Sequence, residues 1–189
     1  MVTDRERWDR RHAERPYGDN ATPDWLAEIE AELPKTGRAL DVAAGTGRIS
    51  LWLARARLRV TAVDVSPVGL QRLRDAANAE RLTVETIVLD LHESPLPEGP
   101  FDVITCFAYL QRDLFPAMQQ RVAPGGLLIC GMPTMQNLER HSRPPAPFLV
   151  HEGELRELCE PLQIVFYREG WFGERAAARV VAKRPPPGE

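Results

Sequence analysis

Asp41-Val42-Ala43-Ala44-Gly45-Thr46-Gly47 follows an apolar stretch and opens a helix, and its reading decides the fold. Gly45 and Gly47 let the backbone approach a ligand where any Cβ would collide. Ile49, Trp52, Leu53 and Ala56 then fall at i, i+3, i+4 and i+7, one apolar helical face. The first N–H groups of such a helix have no intrahelical partners. A strand–glycine turn–helix corner is therefore a natural seat for a nucleotide-like ligand.

The surrounding residues narrow the ligand. Nicotinamide and flavin enzymes use G-x-G-x-x-G/A at this corner; here the third position is Ser50, and an acid, Asp41, sits inside the strand end. The next strand, Leu58 to Val63, ends in Asp64. An acid there can accept both ribose hydroxyls of any adenosine ligand, so it does not separate the cofactors. A third acid does: Thr83 to Leu89 runs into Asp90, whose carboxylate can accept the exocyclic amine of adenine. Three acids thus close three consecutive strands, at the end where parallel sheets bind ligands.

At these residues the chain resembles the class I S-adenosylmethionine-dependent methyltransferases. The family pattern acid-x-Gly-x-Gly-x-Gly reads here with Ala43 in place of its first glycine. Asp64, the Asp90-Leu91 pair, Phe101-Asp102-Val103-Ile104 and Pro124-Gly125-Gly126 match as well, so the resemblance spans residues 1 to 184. It implies S-adenosylmethionine as cofactor, held by Asp41, Ala43, Gly45, Thr46, Gly47, Asp64, Val65, Asp90, Leu91, Cys106 and Phe107. Trp8-Asp9-Arg10-Arg11-His12 and Tyr17 resemble the helix that covers the cofactor in small members of the family. By that likeness Arg11 pairs with the methionyl carboxylate and Tyr17 lies near the sulfonium. The bland alternative is an amphipathic helix with Trp8 in the core and solvated arginines.

Composition sets bounds. A length of 189 residues implies one domain, and 43% hydrophobic residues suffice for its core. The longest apolar stretch, Val103 to Leu110, is far short of the roughly 18 residues a membrane span needs. The charged amino terminus is not a signal peptide. Cys106, Cys130 and Cys159 are odd in number and lack metal spacing, which suits reduced cytoplasmic thiols and no metal site. A net charge of −3 without a Lys/Arg block gives no footprint for nucleic acid.

Alternating strands and helices imply an α/β, Rossmann-like, doubly wound sheet with helices on both faces. By resemblance the sheet has seven mostly parallel strands, the terminal one inserted antiparallel between the fifth and sixth. Residues 1–34 form a helical cover, in which Thr22-Pro23 starts a helix carrying Trp25, Leu26, Ile29 and Leu33. Ser66-Pro67 starts another, with Leu70, Leu73 and Ala77 inward. Asp113 caps a third bearing Leu114, Phe115, Met118 and Val122, and Leu155, Leu158 and Cys159 mark a short one. Leu91 to Pro100 is too short for a crossover helix, but ten extended residues reach ~33 Å. Two closing strands, Leu162 to Tyr167 and Ala176 to Val181, flank a loop at Arg168 to Arg175, and residues 185–189 form a disordered tail.

Residues for the methyl acceptor follow the fourth and fifth strands. Tyr109 and Arg112 can line its site, with a buried tyrosine and a helix-start arginine as the plain alternative. Pro133 to Val150 is long and polar, and it leaves the ligand-binding end of a strand. Within it, Gln136 to Phe148 reads as a mobile lid whose His141 and Arg143 face the acceptor. The four histidines otherwise read as surface residues. This loop and the chain's ending resemble the tellurite-resistance-type branch of small-molecule methyltransferases. That likeness implies a soft acceptor: a thiol, or a selenium or tellurium species. A soft anion needs no base at the moment of attack, in keeping with the lack of an obvious one.

The sequence therefore describes a cytoplasmic methyltransferase for a small molecule, monomeric or homodimeric. The rival readings are a nicotinamide-dependent oxidoreductase and a non-catalytic cofactor-binding subunit of the same fold.

Overall fold

The computed structural model describes residues 3–14 and 21–186. The chain divides into two compact units, residues 1–97 and 98–189. Their strands belong to one seven-stranded sheet, in the order β3-β2-β1-β4-β5-β7-β6.

The first unit begins with helix α1 (Asp4–Glu14) and a 3-10 helix (Asp24–Glu32). Strands β1 (Arg38–Val42), β2 (Arg59–Asp64) and β3 (Val84–Val88) alternate with helices α2 (Arg48–Arg55) and α3 (Pro67–Ala79). β1 and β3 each pair parallel with β2. Ala39 to Val42 are buried without alternation, as a parallel strand covered on both faces requires. Leu51, Ala62, Leu70, Leu73 and Ala77 form the core that joins α2 and α3 to β2.

Helix starts follow local chemistry. The Ser66 hydroxyl accepts the Gly69 N–H at 3.0 Å, and Pro67 occupies the first turn of α3. Gly47 caps α2 with φ +88°, and a Cβ there would lie 2.9 Å from the Cβ of Leu73. At the first helix the expectation shifts: Pro23, not Thr22, holds the cap position, its ψ of 127° keeps the entry extended, and the turns are 3-10.

The second unit holds β4 (Phe101–Phe107), α4 (Phe115–Arg121), β5 (Val122–Pro133), α5 (Glu154–Leu158), β6 (Gln163–Phe172) and β7 (Arg175–Lys183). β4 pairs parallel with β5, and β7 pairs antiparallel with β5 on one side and β6 on the other. The insertion of the last strand between its two predecessors is as expected. Val103, Ile104, Leu128, Ile129, Val180 and Val181 are fully buried and form the centre of this layer.

Three local expectations are corrected. Asp113 lies inside a 3-10 turn (Arg112–Leu114), so Leu114 takes the cap position of α4, and Val122 turns extended to begin β5. The β6–β7 connection is only Gly173-Glu174, because Gly173 at φ +62° allows the chain to reverse at once. The segment after β5 is not structureless. It contains 3-10 helices at Met135–Glu139 and Ala146–Phe148 and a bridge between Thr134 and Val150. Residues 91–100 carry no helix, as their length requires.

The three cysteines form no disulfide and are buried. Cys106 and Cys130 face each other across β4 and β5. A hydrogen bond with Cys159, together with burial, pushes the Cys130 thiol well above its usual range. No helix among the described residues is long and apolar enough to cross a membrane.

Candidate cofactor site

The first unit places Asp41, Asp64 and Asp90 at or just beyond the carboxyl ends of β1, β2 and β3. Each does something different. Asp41 is 2% exposed and accepts the Ser50 hydroxyl at 2.6 Å, which ties the strand end to the first turn of α2. Ser50, at the position where dinucleotide enzymes carry a third glycine or alanine, thus donates to the acid of this corner.

Asp64 organises the turn. One carboxylate oxygen accepts the Gly45 N–H at 2.7 Å, the other the Ser66 N–H at 2.8 Å. A carboxylate has about four acceptor positions, so two remain for a pair of ribose hydroxyls. Burial pushes the Asp64 carboxyl above the ordinary range. The two backbone donors and the nearby His12 pull the other way without reversing the shift. Asp90 bonds the His92 N–H through one oxygen at 2.9 Å and is half-exposed, leaving acceptor capacity toward solvent.

The glycine corner is shaped by contact as well as by conformation. Gly45 has φ +56°, and a Cβ on it would lie 3.3 Å from the His12 ring. One on Gly69 would lie 3.0 Å from that ring and 2.9 Å from the Gly45 carbonyl oxygen. Ala43, standing where the family has a glycine, has φ +55°. The left-handed backbone is retained although the residue is not glycine. Thr46 and Val65 are half-buried beside this corner in sequence, and Leu91 is buried.

His12 corrects the expectation of surface histidines: it is 5% exposed, stacked on Trp8 with ring centroids 5.6 Å apart. Asp9, one helical turn away from Arg5 and Ala13 on α1, accepts the Ser66 hydroxyl at 2.5 Å and the Val68 N–H at 3.3 Å. Sequence reasoning singled out this helix but gave neither residue a role. No local signal marks a partner 57 positions away. Arg11 is exposed, its guanidinium 5.1 Å from the Trp8 ring. Tyr17 lies outside the described residues.

The second unit places Cys106 and Phe107 at the end of β4, with the Cys106 thiol 3.4 Å from the Tyr109 carbonyl oxygen. The Tyr109 hydroxyl donates to Gln111 at 2.6 Å. Arg112 forms a two-pronged pair with Glu154, at 2.5 and 3.1 Å, and also reaches the Leu149 carbonyl. That pair holds the Arg112 guanidinium above its usual value and the Glu154 carboxyl below its own.

His141 bonds the Glu174 carbonyl oxygen at 2.7 Å through Nε2, and the Arg143 carbonyl accepts from Arg175 at 3.4 Å. Both residues therefore lie beside the β6–β7 turn. Asn137, buried and not foreseen, fastens the same segment to Ala176 through both ends of its amide.

Residues 39–126, just under half of the chain, match the family described as a methyltransferase domain. Over that span the chain is similar to a methyltransferase domain, and the solved structures below share its fold. It is 33% identical over 107 residues to the ribosomal protein L11 methyltransferase of Bordetella parapertussis, a match covering 55% of this chain and 34% of that protein. The chain spans between about a third and a half of the curated relatives it matches. Among solved structures, TehB from Haemophilus influenzae superposes with a TM-score of 0.72 at 20% identity, covering 94% of this chain and 67% of that one. A protein solved in work on the conversion of a disulfide bond into a thioacetal group during echinomycin biosynthesis gives 0.71 at 21%, covering 97% and 94%.

Proposed function

We propose that the chain is an enzyme that transfers a methyl group from S-adenosylmethionine to a small molecule through a soft nucleophile, a thiol or a heavier chalcogen. The observation that carries the cofactor half is Asp64. It fixes the glycine corner through Gly45 and still offers two acceptor positions beside it. A turn with Gly45 at φ +56°, which no Cβ fills, suits the close approach of such a ligand. When bound, S-adenosylmethionine supplies a methyl carbon already activated by the sulfonium charge.

The protein's part is then largely positioning. Asp64 takes the ribose, Asp90 the adenine edge, and Asp41 with Ser50 keeps the strand end and helix start in register. Orientation of this kind can supply much of the acceleration where the donor is pre-activated. A soft anion as acceptor fits because no base–nucleophile pair stands out. It is further supported by the sulfur chemistry named for one structural relative and by the likeness to the tellurite-resistance branch. The Ser50–Asp41 hydrogen bond weighs against a nicotinamide enzyme, whose third glycine position carries no such donor.

A thermal-shift comparison tests the reading. S-adenosylhomocysteine at 100 times its dissociation constant should stabilise the fold by ~2.7 kcal/mol, and NAD should leave it unchanged. A shift with NAD and none with the adenosyl compounds overturns it. Release of S-adenosylhomocysteine in a screen of thiols, selenite and tellurite then identifies the acceptor class.

A further inference from the structure

Asp9, His12 and Ala13 fall at i, i+3 and i+4 on α1, which gives the helix one inward face. All three meet α3 or the turns beside it. Asp9 accepts the Ser66 hydroxyl at 2.5 Å and the Val68 N–H at 3.3 Å, both through Oδ1. The Ala13 carbonyl accepts from the Arg72 guanidinium at 3.0 Å. His12 is 5% exposed, with its ring against two glycines. A Cβ on Gly45 would stand 3.3 Å from its Cε1, and one on Gly69 would stand 3.0 Å from its Cδ2. The hollow that holds the imidazole exists because neither position carries a side chain.

These contacts flank one carboxylate. Ser66, whose hydroxyl bonds Asp9, gives its N–H to Oδ1 of Asp64 at 2.8 Å. Gly45, which abuts the imidazole, gives its N–H to Oδ2 at 2.7 Å. An acid of α1 thus stands one residue from one oxygen of Asp64, and an imidazole stands one residue from the other. Other charges around them are engaged or turned outward. Asp41 on β1 takes the Ser50 hydroxyl, and Asp90 beyond β3 takes the His92 N–H. Arg74 on α3 bonds Thr86, Arg11 lies over Trp8, and Arg48 at the start of α2 is exposed. Burial raises the Asp64 carboxyl most, the Ser66 and Gly45 N–H groups lower it, His12 lowers it further and Asp9 raises it.

Ribose hydroxyls need the ionised carboxylate, and a buried carboxyl resists ionisation unless donors or a cation stand near. Imidazole is the side chain whose ordinary charge change falls in mildly acidic to neutral water. We propose that His12 and Asp9 are positioning residues for cofactor capture: His12 as imidazolium keeps Asp64 ionised for the ribose hydroxyls, while Asp9 seats the helix and opposes that effect. The inference rests on the methyltransferase reading and deepens it. Plain packing is the alternative, because the His12 ring already stacks on Trp8 with centroids 5.6 Å apart. Packing alone predicts no dependence on charge.

Two substitutions separate charge from packing. His12→Phe keeps an aromatic ring beside Trp8 and removes the charge. Asp9→Asn keeps both hydrogen bonds, since both use one oxygen that an amide also offers, and removes the opposing charge. The carboxyl resonance of Asp64 is titrated in the full chain without cofactor. Binding of S-adenosylhomocysteine is measured by calorimetry from about pH 8 down to about pH 5. In His12→Phe the Asp64 midpoint should rise by about half a pH unit or more, and in Asp9→Asn it should fall. Affinity at about pH 8 should match the unsubstituted protein in both variants, because Asp64 is ionised in all three. At the acidic end His12→Phe should bind roughly threefold more weakly, the equivalent of that half unit, and Asp9→Asn more tightly.

An Asp64 midpoint that stays in place in either folded variant overturns the proposal. So does a loss of affinity by one constant factor at every pH, the mark of a purely structural role. Should His12→Phe fail to fold, Asp9→Asn decides alone, and a midpoint that does not fall overturns the proposal. Because the carboxyl titration needs no cofactor, the two readings fail separately. If the midpoints move as expected but S-adenosylhomocysteine does not bind, the charge coupling stands and the methyltransferase reading falls.

Discussion

Asp9 and Ser66 stand 57 residues apart, yet the Ser66 hydroxyl donates to Asp9 at 2.5 Å while also accepting the Gly69 N–H at 3.0 Å. One hydroxyl therefore both caps α3 and fastens α1 to it. Replacing Asp9 by alanine should cost about 1 kcal/mol, a half-buried charge-assisted hydrogen bond. The loss should be felt mainly in α1, whose other described residues are largely exposed. Ser66→Ala removes the cap as well and should cost about 2 kcal/mol. Hydrogen exchange reads both. In Asp9→Ala, amides of residues 4–14 should exchange several-fold faster with β1 and β2 unchanged, and uniform acceleration would refute the assignment.

Ala43 at φ +55° holds a conformation that favours glycine. The strain of a non-glycine residue there is about 1–2 kcal/mol, partly offset by the greater unfolded-state entropy of glycine. Ala43→Gly is expected to stabilise the protein by ~0.5–1 kcal/mol in urea unfolding. A destabilised variant would mean that the alanine methyl makes packing contacts that outweigh its backbone.

Asp64 makes the site sensitive to pH. Burial raises its carboxyl above the ordinary range, so between the unfolded and folded pKa values the native state holds more protons. Its contribution to stability is therefore fully present below the unfolded pKa and is lost as pH rises through the raised folded one. Ribose recognition needs the ionised carboxylate, so cofactor affinity should run the opposite way, weakening as pH falls through that raised value. Isothermal titration with S-adenosylhomocysteine across mildly acidic pH should show the decline, and Asp64→Asn should bind weakly and flatten it. Affinity that stays level down to the ordinary carboxylate range would remove Asp64 from the ribose role.

Arg112 and Glu154 form an exposed pair, with 43% of the arginine side chain in solvent. Its contribution is expected to be ~0.5–1 kcal/mol. Pairing holds the Glu154 carboxyl below its usual value, so this stability is present above the unfolded pKa and is lost as pH falls through the folded one. Arg112→Ala and Glu154→Gln should each weaken the protein at neutral pH, and the double variant should be no worse than either. Additive losses in the urea midpoints would show that the pair does not act as a unit.

Asn137 is 1% exposed and satisfies both the N–H and the carbonyl of Ala176 besides the Thr134 carbonyl. Asn137→Ala would orphan the buried Ala176 N–H, while the Ala176 and Thr134 carbonyls keep the Thr134 and Asn137 backbone N–H groups, and should cost about 1–3 kcal/mol. Denaturant unfolding measures it. A loss below ~1 kcal/mol would mean that water replaces the amide.

What the sequence revealed and what it concealed follow one physical distinction. The glycine corner, the three acids, the Ser66-Pro67 start and the antiparallel insertion were legible because a few adjacent residues, or a family pattern, specify each. Asp9, His12 and Asn137 were not. Each acts through a partner brought close only by tertiary packing, and nothing near them in the chain changes with that partner. The loop after β5 was misjudged for the same reason. Its prolines and polar residues look unstructured until β7 arrives to bond them. The β6–β7 turn was overestimated because Arg168, Glu169 and Gly170 read as loop although they continue the strand.

The position of β7 has a consequence for biosynthesis. β5 is complete when the ribosome passes Pro133, but its antiparallel neighbour is not finished until Lys183. Through that interval the nascent chain carries an unpaired strand edge rich in leucine, isoleucine and cysteine, the kind of surface that recruits other chains. The fold thus closes from its interior outward at the last moment. Translation rate and chaperone access between these two points, more than the stability of the finished protein, should govern how much of it is recovered in soluble form.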